Sequence, residues 1–177
     1  MLDIHTHILP GIDDGSTSPY QSIEMLKMLR DQGVDRVVLS SHFYAEEETP
    51  ERFLERRNRA FEILKNAIAD EEKIKGDLHL PKLILGAEVN YFIGVSTSKY
   101  LRSLKIEGTP LLLLEMPKTR WDQGMKNEVM RMALGNEVIP LLAHIDRYLE
   151  YNKFKTFLEF RTIHFISFCH FRNQFAF

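Results

Sequence analysis

The chain opens with the stretch Leu2-Asp-Ile-His-Thr-His-Ile-Leu-Pro-Gly-Ile-Asp-Asp-Gly15. Its first half predicts a short strand, in which side chains at alternate positions point to the same side. His5 and His7 are two residues apart, so they form a chelating pair by geometry. The Pro-Gly and Asp-Asp-Gly sequences that follow predict a loop, which carries Asp13 and Asp14 away from the same end of the strand. The stretch therefore predicts a strand and loop rich in metal-ligating groups.

The bulk composition is that of an ordinary soluble protein. The chain has 177 residues, 44% of them hydrophobic, and a net charge of -2. This length suits one domain, and the balanced charge gives no reason to expect nucleic-acid binding. The apolar runs are too short to span a bilayer, and no signal-peptide pattern is present. Cys169 is the single cysteine, which excludes an internal disulfide and favours a cytoplasmic location.

Apolar runs alternate with amphipathic segments along most of the chain. Such alternation predicts a parallel sheet with helices on both faces, in an α/β fold. Beyond the opening strand, we predict strands at residues 34–40, 83–89, 111–117 and 138–144. We also predict a helix capped by Ser16 or Ser18 that runs to residue 32, and helices at residues 49–72 and 122–135.

Polar side chains end each predicted strand. His7, His42 and His144 follow three of the strands, whereas Glu88 and Glu115 end the other two. In a parallel barrel these strand ends lie on one face, where active sites are built. A single histidine at a strand end is usually structural, but an interior glutamate is costly to bury without a cation or partner. The pattern therefore predicts a metal site.

The chemistry of these side chains limits the choice of metal. Nitrogen and oxygen ligands without sulfur favour Mn, Fe or Zn over Ca or a thiolate site. The set is larger than one ion requires, which favours two or more ions able to clamp a phosphate. His79 lies in a polar connection and is predicted to be a solvated residue rather than a ligand.

The opening stretch closely resembles the N-terminal signature of the polymerase and histidinol phosphatase (PHP) superfamily. More narrowly, it looks like the bacterial capsule and exopolysaccharide type of manganese-dependent tyrosine-protein phosphatase. Further matches follow in the same order as in that family: Ser-Ser-His42-Phe-Tyr, Leu-Gly-Ala-Glu88-Val, Leu-Leu-Glu115-Met-Pro and Leu-Ala-His144-Ile-Asp-Arg-Tyr148.

This resemblance implies a distorted (β/α) barrel and a centre of two or three Mn²⁺ ions, with Fe or Zn as alternatives. Asp14 matches the family's aspartate, although the residues themselves do not separate it from Asp13. The resemblance places Arg147 near the substrate phosphate, so Arg147 and Asp14 are the expected catalytic residues. The implied metal ligands are His5, His7, Asp14, His42, Glu88, Glu115 and His144.

The resemblance further implies hydrolysis of phosphotyrosine on a protein, with a bacterial tyrosine kinase of capsule or exopolysaccharide synthesis as the expected partner. A small-molecule phosphatase, such as one acting on histidinol phosphate, is an alternative with the same chemistry. A third hypothesis is an inactive remnant that binds metal weakly. A cysteine phosphatase is excluded, because only two residues separate Cys169 from Arg172.

The last part of the chain departs from the family pattern. Residues 154–177 contain eight of the twelve phenylalanines. The Asp-x-His sequence that completes the family's site on a late strand is absent. We therefore predict a partial PHP-like domain at residues 1–158, an aberrant aromatic-rich tail at residues 159–177, and a barrel that lacks its late strands. A truncation or frameshift after about residue 158 is the expected cause.

Overall fold

The structure is a computed structural model that describes residues 1–135 and 137–152, together with the backbone of residues 167–168. The chain divides into two compact units, Met1–Ala87 and Glu88–Phe177. Each unit is built around parallel strands, as the alternating pattern predicts. The predicted α/β class with parallel strands is confirmed, and the described strands of neither sheet close into a barrel by themselves.

The first unit contains a three-stranded parallel sheet in the order β1-β2-β4. Its strands are β1 (Leu2–Thr6), β2 (Arg36–Leu39) and β4 (Lys82–Leu85), and a short strand β3 (His42–Phe43) follows β2. The helices are α1 (Pro19–Asp31) and α2 (Pro50–Lys75), which pack against each other. Apolar side chains of these elements, including Val37, Val38 and Leu64, are buried and form the core.

The helices of this unit begin where capping chemistry predicts. The Ser18 hydroxyl accepts a hydrogen bond from the backbone N–H of Gln21, and Thr49 does the same for Arg52. Each cap is followed by a proline at the first helical position, where no N–H is needed. The start predicted at Thr49 is confirmed, and of the two caps considered for α1 the structure selects Ser18 rather than Ser16.

In the second unit, parallel strands lie in the order β5-β6-β7-β8. They are β5 (Glu88–Asn90), β6 (Leu111–Glu115), β7 (Ile139–Leu142) and β8 (Ser167–Phe168). The remaining elements are a 3₁₀ helix (Val95–Thr97), α3 (Leu101–Leu104), α4 (Gln123–Leu134) and α5 (Ile145–Tyr148). Asp122 caps α4 through the N–H of Met125. The 3₁₀ helix and α3 are absent from the sequence-based prediction.

The prediction of a single strand at residues 83–89 is wrong. The chain forms β4 and β5 there, with a break at Gly86 and Ala87. The backbone of Gly86 is used by the first unit: its N–H donates to the carbonyl of Leu39, and its carbonyl accepts from the Arg57 guanidinium at 3.1 Å. Because Arg57 comes from α2, a continuous apolar run could not reveal this break.

Among the described residues, no helix is both long and apolar enough to cross a membrane. The predicted cytoplasmic location stays a prediction. Most of the predicted tail, including Cys169 and Arg172, lies outside the described residues, and so does the boundary predicted at residue 158.

Candidate metal centre

The two histidines of the predicted chelating pair lie close together in the first unit. His5 lies near the end of β1 and is buried, and His7 follows the strand directly. Their Nε2 atoms are 3.3 Å apart. Two imidazole nitrogens that bind one ion tetrahedrally at about 2.1 Å are separated by roughly 3.4 Å. The spacing of His5 and His7 therefore fits two ligands of one metal ion.

His42 and Asp14 join this pair. The ring of His42 lies 4.6 Å from the ring of His7, measured between centroids. A carboxylate oxygen of Asp14 lies 3.6 Å from Nε2 of His42 and 3.9 Å from Nδ1 of His7. His7, Asp14 and His42 each offer a ligand atom within 4.8 Å of the others. We call His5, His7, Asp14 and His42 the imidazole group.

The loop after β1 separates Asp13 from Asp14. The Asp13 side chain is only 4% exposed, and it accepts hydrogen bonds from His7 Nδ1 and from the backbone N–H groups of Gly15 and His42. Burial alone would raise the pKa of Asp13, but the bond and charge of His7 and the two N–H groups outweigh it and lower the pKa. Asp14, by contrast, is 80% exposed.

Gly15 allows this loop to fold back on the strand. A Cβ atom at this position would overlap the carbonyl oxygen and the Cβ of His7. The next residue, Ser16, donates its backbone N–H to the same His7 carbonyl at 2.9 Å. A side chain at position 15 is therefore excluded by close approach to the backbone of a candidate ligand.

Glu88, Glu115 and His144 come together in the second unit, and we call them the carboxylate group. Glu88 begins β5, Glu115 ends β6, and His144 follows β7. All three are buried. Nε2 of His144 lies 3.3 Å from a Glu88 oxygen, and oxygens of Glu88 and Glu115 lie within 4.8 Å of each other.

Sheet register explains why the two glutamates face each other. Glu88 pairs with Leu113 across the β5–β6 ladder, so it lies two positions from Glu115 and on the same face. Two buried carboxylates this close repel each other unless a cation or proton intervenes. The carboxylate group therefore also fits a metal ion.

His144 and Arg147 lie on a strained turn. His144 has a φ of 49°, a left-handed conformation that is uncommon for residues other than glycine. The short helix α5 begins directly after it. Arg147 in this helix is half-buried, and its guanidinium makes no hydrogen bond or ion pair with another described residue.

Sequence reasoning assigned no role to two residues that support this turn. Met116 directly follows Glu115, and its backbone N–H donates a hydrogen bond to the hydroxyl of the fully buried Tyr148 at 2.9 Å. Asn152 accepts from the N–H of Trp121 and donates to the carbonyl of Thr119. Tyr148 belongs to the quoted segment His144-Ile-Asp-Arg-Tyr148, so the sequence drew attention to this residue. It did not show that the partner of Tyr148 is Met116.

The structure thus brings the predicted ligands together in two sets, each within its own unit. His79 is outside both, and its exposed ring pairs with Asp77 as expected for a solvated residue. That all seven predicted ligands belong to one metal site stays a prediction.

A family model described as "Capsular polysaccharide synthesis, CpsB/CapC" matches residues 1–163. The chain belongs to this family. Among CpsB/CapC relatives, the "Tyrosine-protein phosphatase CpsB" of Streptococcus agalactiae serotype V is 32% identical over 164 residues, which cover 84% of this chain and 58% of the relative. The "Putative tyrosine-protein phosphatase CapC" of Staphylococcus aureus is 27% identical over 155 residues, covering 83% and 54%.

The fold of this CpsB/CapC chain also matches a solved structure. It resembles, with a TM-score of 0.63 and 24% identity, a structure reported as "Crystal structures of YwqE from Bacillus subtilis and CpsB from Streptococcus pneumoniae, unique metal-dependent tyrosine phosphatases". The match covers 85% of this chain and 57% of the other. The predicted kinship with capsule-type phosphatases is confirmed. The chain spans somewhat more than half the length of the curated relatives it matches.

Proposed function

We propose that this chain belongs to a metal-dependent phosphatase that removes phosphate from phosphotyrosine on a protein of capsule or exopolysaccharide synthesis. The observation that best supports this proposal is the close approach of histidine and carboxylate side chains able to hold a metal ion, in a CpsB/CapC chain. The names of the relatives, which are tyrosine-protein phosphatases, support phosphotyrosine as the substrate. A bacterial tyrosine kinase is the proposed partner.

The donor set supports two or three Mn²⁺ ions, with Fe or Zn as alternatives. The proposed ligands offer imidazole nitrogens and carboxylate oxygens and no sulfur, which suits these metals. Bound metal would supply charge stabilisation and a water of lowered pKa. The proposed ligands are the imidazole group and the carboxylate group: His5, His7, Asp14, His42, Glu88, Glu115 and His144.

The protein's own contribution begins with substrate binding. The guanidinium of Arg147 presents several N–H donors in a fixed plane, which can bind two phosphoryl oxygens together. Its position one turn after His144 would keep the phosphate beside the carboxylate group. Negative charge that develops on the phosphoryl oxygens would be stabilised by the same donors.

Metal binding is the first test. Saturating Mn²⁺ should stabilise the 177-residue chain, by about 2.7 kcal/mol at a free concentration one hundred times the Kd, and a chelator should reverse this. Thermal unfolding and metal analysis of the purified chain measure both effects. His42→Gln should weaken binding, whereas the matched variant His79→Gln should not. A wild type that binds no Mn²⁺ would contradict the proposal and favour the remnant hypothesis.

Substrate class is the second part of the same experiment. The Mn²⁺-loaded chain should hydrolyse a phosphotyrosine peptide faster than histidinol phosphate, and alkylation of its cysteine should leave the rate unchanged. Arg147→Lys should raise KM, because a lysine keeps the charge but lacks the fork of donors. Preferential turnover of histidinol phosphate would instead support the small-molecule phosphatase.

A further inference from the structure

Asp13, the neighbour of the proposed ligand Asp14, accepts hydrogen bonds through both of its carboxylate oxygens. One carboxylate oxygen of Asp13 lies 2.9 Å from Nδ1 of His7 and 3.1 Å from the backbone nitrogen of His42. The other oxygen lies 3.1 Å from the backbone nitrogen of Gly15. Both oxygens of a nearly buried carboxylate are thus occupied by groups of the protein.

These contacts decide which nitrogen of His7 carries a proton. An ionised carboxylate can only accept hydrogen bonds, so Nδ1 of His7 must be the donor. In the neutral imidazole, Nε2 then carries the lone pair. This atom faces Nε2 of His5 at 3.3 Å, where the two nitrogens have the spacing of ligands on one ion.

Asp13 also connects two segments that are distant in sequence. His7 follows β1, whereas His42 begins β3, and the same Asp13 oxygen holds the side chain of one and the backbone of the other. The two rings lie 4.6 Å apart. Without this carboxylate, the tautomer of His7 and the backbone position of His42 would therefore both lose the hydrogen bond that fixes them.

Asp14 makes none of these contacts. Its carboxylate is exposed and lies 3.6 Å from Nε2 of His42, as expected of a group that meets a metal ion directly. The two neighbouring aspartates are consequently suited to different tasks, although they are chemically identical.

We propose that Asp13 is a positioning residue of the metal centre, which selects the Nδ1–H tautomer of His7 and fixes the backbone of His42 for metal binding. The inference rests on the proposed function, in which His7, Asp14 and His42 bind metal. Carboxylates that accept from the second nitrogen of a metal-binding histidine typically change metal affinity by 10–100-fold when removed.

Nitrogen NMR of the metal-free chain gives the direct test. In its neutral form, wild-type His7 should carry its proton on Nδ1. Asp13→Ala should shift His7 toward Nε2–H and speed hydrogen exchange at the backbone amide of His42. Asp14→Ala, the matched control, should change neither signal.

Mn²⁺ titration completes the experiment. Asp13→Ala and Asp14→Ala should both weaken binding, Asp13→Ala by roughly 10–100-fold, and Asp13→Asn should restore part of the loss because its amide oxygen replaces one acceptor. If Asp13→Ala does not fold, the wild-type tautomer and Asp13→Asn still decide the matter. Wild-type His7 with its proton on Nε2, or Mn²⁺ affinity of Asp13→Asn and Asp13→Ala equal to wild type, would overturn the inference. Failure of the wild type to bind Mn²⁺ would instead overturn the proposed function.

Discussion

The imidazole group and the carboxylate group are held in place by different means. Three of the four members of the imidazole group lie within the first fourteen residues, and one loop, closed on His7 by Asp13 and Gly15, arranges them. The carboxylate group is drawn from three consecutive parallel strands, and sheet register with a buried tyrosine arranges it. The first arrangement is local, whereas the second depends on pairing between distant segments.

The two groups should therefore differ in their sensitivity to substitution. A loop without regular hydrogen bonding relies on a few exact contacts, so one added atom can displace it. A set of strand ends relies on many ladder bonds, so a single change should have a smaller effect. Variants of the two supports can test this difference.

Gly15→Ala should have the largest effect. Its new Cβ would overlap backbone and side-chain atoms of His7, so the loop must move or the unit must unfold. We expect a loss of about 3 kcal/mol or more in the free energy of unfolding, at the upper end of overpacking effects. Denaturant unfolding measures this loss.

Gly33→Ala is the matched control for backbone conformation. Gly33 has φ +80 and no atom near the position of an added Cβ, so only conformational strain of about 1 kcal/mol should result. Equal losses for both variants would show that close approach to His7 is unimportant.

Tyr148→Phe should have an intermediate effect on the second unit. It removes the acceptor for the buried N–H of Met116 and should cost about 1–2 kcal/mol. Burial raises the pKa of Tyr148, which keeps the hydroxyl protonated throughout the accessible pH range. Tyr151→Phe, at an exposed ring, should change stability by less than about 0.5 kcal/mol. A loss for Tyr148→Phe as large as that of Gly15→Ala would remove the contrast between the two supports.

The smallest expected effect is a pH-dependent one, at an ion pair of the first unit that includes no member of either group. Glu71 on α2 lies 2.7 Å from Lys27 on α1 and 2.8 Å from Lys75, and these two hydrogen bonds lower its pKa below the ordinary 4.5. A lowered carboxyl pKa stabilises the folded state above the unfolded pKa, and this contribution disappears as the pH falls through the folded value.

Glu71→Gln should therefore lower Tm slightly at neutral pH, and the difference from wild type should vanish as the pH falls below 4.5. Thermal scans of both proteins over a pH series measure it. Glu62→Gln, in a largely exposed pair with Lys65, should show no measurable difference at any pH. A Glu71→Gln difference that persists in acid would assign the effect to packing rather than charge.

Much of the fold follows from local chemistry. The starts of α2 and α4 were predictable because Thr49 and Asp122 satisfy backbone N–H groups within their own first turn. The start of α1 was predictable only to within two residues, because Ser16 and Ser18 are both suitable caps. The break at Gly86 was not predictable, since its hydrogen-bond partners come from β2 and α2. The hydrogen bond from Met116 to Tyr148 was not predictable for the same reason.

The sequence by itself determined which side chains are candidates for metal binding, because ligand chemistry is a property of residue type and the apolar runs show where each strand ends. It also determined the parallel α/β class. Only the tertiary structure decided that Asp13 and Asp14 differ. Their chemistry is the same, but one carboxylate is buried among N–H donors and the other is exposed beside His42, and that difference exists only after distant segments have come together.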